Sequence, residues 1–281
     1  MNKRKPIDGD DFIYRLLMSL LDEDNERVQA LAGDIVRLVS VWFPPDFYQR
    51  HPVLLPWVVR DPSCRPRKKA GEITVDQWGA PTTRGFLRDD NSLIKNIPKS
   101  LVVDGPTQSP MRGGRLGTGF VASHVWREVN LEELASRNPR LNSFVPNLVW
   151  LPRQIAKLSD REGGPVQNAL KSMSIDIYRS TTVEEELKAQ VEHIWSHLPP
   201  PPVSVGVDTK DLHYFKLTPK FIKSRMESAR QVLQMVTAIA TGSQPRSGSR
   251  IPSRYEEGIH SLPIEAVEHL RQEIALWWPC R

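Results

Sequence analysis

The chain has 281 residues, of which 39% are hydrophobic and 25% charged. Those proportions belong to a folded globular protein and exclude a disordered chain, a fibre or a disulfide scaffold. The length suits one large domain or two ordinary ones. The net charge of +5 is concentrated in the middle third, where Arg60–Arg161 holds 17 basic and 10 acidic residues against 21 and 23 elsewhere. Within it, Met111–Arg127 carries Arg112, Arg115 and Arg127 and no acid, a field that attracts polyanions.

No apolar run approaches the roughly 18–20 residues of a membrane helix. The start, Met1-Asn2-Lys3-Arg4-Lys5-Pro6, leads into acidic residues, so a secretory signal is not expected. Two cysteines, Cys64 and Cys280, are too few for a four-thiolate zinc site or a disulfide framework. A soluble cytoplasmic protein is the expectation.

Residues 10–43 predict helix. Phe12, Leu16, Leu17, Leu20 and Leu21, then Val28, Leu31, Ala32, Ile35, Val36 and Val39, recur at helical spacing around an acidic break at Asp22–Glu26. Pro44-Pro45 ends the pattern. His51–Lys69 is rich in proline and basic residues and reads as an irregular arm ending Arg65-Pro66-Arg67-Lys68-Lys69.

Residues 72–104 read as short strands and turns, among them Glu72–Val75 and Trp78–Pro81. A Gly-rich basic loop, Arg112–Gly119, precedes the apolar run Phe120-Val121-Ala122, and Asn147–Leu151 forms a second strand-like run. Pro152 suits the first turn of a helix. Further helices are expected along Val166, Leu170, Met173 and Ile177, over 183–198, over 219–240 and over about 263–278, with Gly242–Ser253 as a linker. The expected class is α+β and mainly helical, in segments 1–50, 51–110, 111–180 and 181–281, the last a possible dimerisation region.

The strongest local signal is a strand ending in histidine, a loop, a strand led by asparagine, and a helix. Phe120-Val121-Ala122-Ser123-His124 is followed 23 positions after His124 by Asn147-Leu148-Val149-Trp150-Leu151-Pro152, then Arg153–Asp160. This order resembles the ββα-metal, or HNH, nucleases, including those among restriction endonucleases, over about residues 112–172. The resemblance implies a ββα module embedded between helical segments. It makes His124 the general base, Asn147 the residue that pins the loop and orients the histidine, and the helix after Pro152 the source of a metal ligand.

The chemistry explains those residue types. Phosphodiester hydrolysis needs a water deprotonated near neutral pH, and unperturbed histidine titrates there. The leaving oxygen needs a divalent cation, Mg²⁺ or Mn²⁺, on oxygen ligands. The chain departs from the family at Ser123, where an aspartate is common, and at Ala156, where histidine or asparagine is usual. Asp160, one turn beyond Ala156, is the nearest carboxylate, so Asp160 and Ser123 are the expected metal ligands. Arg112, Arg115, Arg127, Arg153 and Lys157 are expected on phosphates.

A second polar cluster, Arg88-Asp89-Asp90-Asn91-Ser92 with Lys95, reads as a turn and helix cap, as a DNA-contacting group through Arg88 and Lys95, or as a carboxylate–lysine site of another nuclease type. His193 and His197 stand at i and i+4, but Ile194 replaces the glutamate of the His-Glu-x-x-His motif, and a packing helix is the better reading. The glycines at 113, 114, 117 and 119 lack the lysine of a nucleotide loop. Trp277-Trp278 reads as a hydrophobic anchor suited to a dimer face, and Arg246, Arg250 and Arg254 as linker residues. The implied function is cleavage of double-stranded DNA by a homodimer in the manner of a type II restriction endonuclease. The alternatives are a non-catalytic DNA-binding protein on a similar scaffold and a structural assembly protein.

Overall fold

The computed structural model describes residues 25–61, 64, 67–69, 72–74, 79–130, 133–202, 206, 208–243 and 253–279, with helical positions at 13, 15, 16 and 19. Asp22, Glu23 and Asp24 of the acidic break, Arg65, Pro66, Val75, Trp78, Arg246, Arg250 and Cys280 lie outside the described residues. The fold is α+β, mainly helical among the described residues, with a mixed five-stranded sheet, which agrees with the class expected from the sequence.

The elements in chain order are α1 (Asn25–Val39), β1 (Val41–Trp42), α2 (Pro45–Arg50), β2 (Val58–Arg60), β3 (Arg67–Lys69), β4 (Glu72–Thr74), β5 (Leu87–Asp89) and α3 (Ser92–Asn96). Then follow β6 (Val102–Asp104), β7 (Phe120–His124), β8 (Glu128–Asn130), β9 (Glu133–Leu134), α4 (Pro139–Asn142), β10 (Leu148–Pro152), α5 (Arg153–Leu158) and α6 (Pro165–Tyr178). The remainder is α7 (Glu185–Ser196), β11 (His213–Lys216), α8 (Pro219–Ala240), α9 (Ser253–Ile259) and α10 (Ile264–Trp277).

The main sheet has the order β6-β11-β1-β10-β7, with β1 and β11 parallel and its other pairs antiparallel. Leu148, Val149, Trp150 and Leu151 in β10 are all buried. An unbroken apolar run of this kind belongs to a strand covered on both faces. Phe43, Trp150 and Phe215 pack with ring centroids 5.2–5.4 Å apart. Val28, Ala32 and Val36, one turn apart along α1, are buried where that helix meets α6.

Three expectations are corrected. The N-terminal helix stops at Val39; Val41, Trp42 and Phe43 are fully buried and enter the sheet, and Pro44-Pro45 starts α2 rather than ending α1. Val41 and Trp42 form the strand and Phe43 follows it, and three consecutive bulky residues buried together fit a segment between two layers better than a one-sided helix. The supposed solvated arm is core over its first part, because Pro52–Val59 is buried and β2 pairs in parallel with β5. Its prolines punctuate the apolar run Val53-Leu54-Leu55-Pro56-Trp57-Val58-Val59, and composition alone conceals that run.

Trp277 and Trp278 are 0% and 3% exposed and belong to the core of their own chain. Trp278 stacks on His51 at 4.3 Å and donates through Nε1 to the Val53 carbonyl at 3.0 Å, so neither indole is left for a dimer face. Arg254 lies in α9 rather than in a linker.

Candidate functional site

β7 and β10 pair antiparallel from Phe120↔Pro152 to His124↔Leu148. Pro152 then turns the chain directly into α5, whose Arg153 N–H donates to the Gly119 carbonyl at 2.8 Å and ties the helix start to the root of β7. Two strands and a short helix therefore share one open face. A cleft of about 390 Å³ lies there, lined from β7 by Ala122, Ser123 and His124, from α5 by Arg153, Ala156 and Lys157, and by Arg127 and Asp160.

The segment around α3 forms the opposite wall. Asp90, Asn91, Ser92 and Lys95 line it, and Arg60 enters from β2. Asp89, 2% exposed, does not reach the cleft lining: its carboxylate accepts from the Ser92 hydroxyl at 2.6 Å and the Leu93 N–H at 3.0 Å. Burial raises its pKa, with those hydrogen bonds opposing. Asp89 thus braces the first turn of α3, whose N-cap position is Asn91, while Asp90, which also accepts from the Ser92 N–H at 3.2 Å, and Lys95 line the cleft. Five cations, Arg60, Lys95, Arg127, Arg153 and Lys157, stand against two carboxylates, Asp90 and Asp160, which favours a polyanionic ligand.

His124 is 7% exposed, and its Nε2 lies 2.9 Å from the Asn142 carbonyl oxygen. A carbonyl only accepts, so Nε2 carries the proton and Nδ1 the lone pair. Burial pushes the pKa down to about 4, the Asn142 carbonyl opposes it, and Arg60 and Arg127 lower it further. The ring is therefore neutral at neutral pH, and it titrates well below the range an unperturbed histidine would give.

Asn147 is fully buried in the short helical turn before β10. Its Oδ1 accepts from the Trp126 N–H at 2.7 Å, and its Nδ2 donates to the Leu141 carbonyl at 3.0 Å. These bonds clamp both ends of the connection between β7 and β10. Leu141 immediately precedes Asn142, whose carbonyl holds His124, and the Asn142 side chain donates to the Val58 carbonyl at 3.0 Å. The ring's orientation is therefore built from Asn147, α4 and β2 together. Asn142 was not identified from the sequence, because its contribution is a backbone oxygen and leaves no signature.

The other expected residues divide. Arg127, Arg153, Lys157, Lys95, Ser123 and Asp160 reach the cleft. Asp160 lies in the turn after α5 rather than on the helix; its side chain is 67% exposed and 3.9 Å from Arg127 Nε. Three expected contacts are displaced. Arg88 pairs with Asp61 at 3.4 Å beside β2. Arg112 pairs with Asp104 at 3.4 Å, and Arg115 bridges to Val102, both at β6 on the opposite edge of the sheet. The loop between β6 and β7 spans the sheet, so neighbours in sequence end far apart. His193 on α7 and His197 just past its end are both exposed, away from this cleft.

Among the described residues, no three of His, Cys, Asp and Glu gather to hold a metal ion. The side-chain oxygens among its lining residues are those of the Asp90 and Asp160 carboxylates, the Asn91 amide and the Ser92 and Ser123 hydroxyls. Such a set fits Mg²⁺, which takes one or two carboxylates and keeps several waters, and does not fit a zinc site of three or four His and Cys ligands. No protein-family model, curated protein or solved structure matches the chain.

Proposed function

We propose that this chain is a divalent-metal-dependent endonuclease that hydrolyses phosphodiester bonds of double-stranded DNA, with a ββα-metal module formed by β7, β10 and α5. The observation that carries the reading is convergence: a carbonyl-anchored histidine, five cations and two carboxylates line one cleft, and a fully buried asparagine behind it clamps the loop that holds the histidine. In this reading His124 Nδ1 takes a proton from the attacking water. An anionic phosphate beside the ring raises its affinity for a proton above the resting value.

Arg127, Arg153 and Lys157 hold the phosphates, and Asp160, with Ser123 and Asp90, holds the cation. When bound, Mg²⁺ or Mn²⁺ stabilises charge on the phosphoryl and leaving oxygens. Sequence-specific cutting of both strands in the manner of a type II restriction endonuclease, and the homodimer it requires, complete the proposal by analogy with that class.

The test is incubation of supercoiled plasmid with the protein and Mg²⁺ or Mn²⁺, alongside His124→Ala. Cutting by the parent and none by the variant supports the enzyme. A salt-dependent gel shift without cutting supports a non-catalytic DNA-binding protein. The low proton affinity of buried His124 and the alanine at position 156 are the observations that favour that second reading.

A further inference from the structure

β7 is an outer strand of the sheet, and its register decides which backbone groups stay open. Val125 N–H donates to the Asn147 carbonyl and Arg153 N–H to the Gly119 carbonyl. Residues 119, 121, 123 and 125 therefore turn their backbone toward β10, while Phe120, Ala122 and His124 turn theirs outward. Outer strands of this kind are held only from one side unless another group reaches them.

Asn91 reaches this one. Its Nδ2 donates to the Ala122 carbonyl at 3.1 Å, two residues before His124. The residue carries two penalties to make that bond. Its φ is 82°, the one positive value on a non-glycine among the described residues, where an L side chain is strained and glycine is not. Its Oδ1 is also buried without a hydrogen-bond partner, a condition rare in folded proteins. A residue selected only for its turn would be served better by glycine. The bond to β7 is what glycine would lose.

We propose that Asn91 is a positioning residue: by donating to the Ala122 carbonyl it fixes the outer strand that carries His124 against the cleft. The proposal rests on the nuclease reading for its consequence, though not for its geometry. Charged groups of the same cleft, Arg60, Asp90, Lys95, Arg127, Arg153, Lys157 and Asp160, are left in place by a change at position 91.

The test uses the full chain with Asn91→Gly and Asn91→Asp. Glycine relieves the backbone at position 91, but it loosens the unfolded chain and takes a donor from the Ala122 carbonyl, so its melting temperature is expected to fall by no more than a few degrees. Its kcat on plasmid is expected to fall about tenfold with KM within twofold. Its β7 amides, followed by hydrogen exchange, are expected to exchange with solvent faster than in the parent, because the outer strand has lost the group that holds it from outside. Aspartate keeps the tolerance for positive φ but cannot donate when ionised, so its kcat is expected to fall equally; its added charge makes kcat its sole readout.

Parental kcat and unchanged exchange of the β7 amides in Asn91→Gly would overturn the proposal. If the parent cuts no DNA, the nuclease reading fails, and amide exchange alone decides Asn91: unchanged protection of β7 overturns the clamp and faster exchange supports it.

Discussion

The two edges of the main sheet carry similar chemistry in sequence and opposite organisation in space. At the β6 edge, Arg112 and Arg115 form part of a Gly-rich loop, and Arg112 is paired with Asp104. At the β7 edge, cations from β2, α3 and α5 surround a histidine whose ring is anchored by a backbone carbonyl. Basic density is equal to the eye along the chain, but only the second edge gathers it round a proton acceptor and carboxylates. A site is made by convergence of elements rather than by local composition.

The sharpest way to break that contrast is activity. His124→Ala is expected to lower plasmid cleavage by 10²- to 10⁴-fold, the usual worth of a general base, whereas Arg112→Ala should leave the rate within about twofold. Equal losses from both edges, measured by quantifying nicked and linear product, would sink the distinction.

The next effect is on stability. Asn147→Ala removes two hydrogen bonds in a fully buried setting and strands the Trp126 N–H and the Leu141 carbonyl. At about 1–3 kcal/mol for each stranded group, a loss of roughly 2–6 kcal/mol is expected in urea unfolding, with activity lost alongside.

A third prediction concerns pH. His124 titrates at about 4 in the folded chain and at about 6.5 when unfolded. The folded value is depressed, so the unfolded chain binds the proton first as pH falls. The contribution is fully present above pH 6.5 and is lost progressively down to about pH 4, amounting to roughly 3 kcal/mol. Half-buried His51, also pushed down to about 4 by burial and by Arg50, and His213, lowered by burial, act in the same direction. His124→Ala should therefore remove part of the rise in stability between pH 4.5 and 6.5 and leave the share of the other two, as urea midpoints across that range would reveal.

A smaller effect belongs to single phosphate contacts. Lys157→Ala or Arg153→Ala is expected to reduce the slope of log affinity against log salt by about 1, while Arg115→Ala leaves the slope unchanged. Smallest of all, Asp104→Ala at the β6 edge removes an exposed pair with Arg112 and should change stability by less than about 0.5 kcal/mol.

Much of the cleft was legible because its core is local. His124, Asn147 and the helix after Pro152 fall within one short stretch, and hydrophobic runs mark the two strands that carry them. Arg60, Asp90 and Asn91 were not legible as partners of that stretch, since they arrive from residues 30 or more positions away. Arg112 and Arg115 misled for the converse reason: they precede β7 in sequence, yet the loop carries them to the far edge.

The helices over 165–178, 219–240 and 264–277 were written in periodicity, because a helix buries one stripe and that stripe is visible at a spacing of three and four residues. The strands β1 and β11 were not, because two to four residues are too few to show a period. Only their neighbours in the sheet make them strands. Likewise, the residue types at the cleft were determined by the chain alone, while their protonation was decided by tertiary burial. A histidine in sequence carries an ordinary affinity for protons; removing water from around it, and laying one nitrogen against the Asn142 carbonyl, changes that affinity and aims the ring.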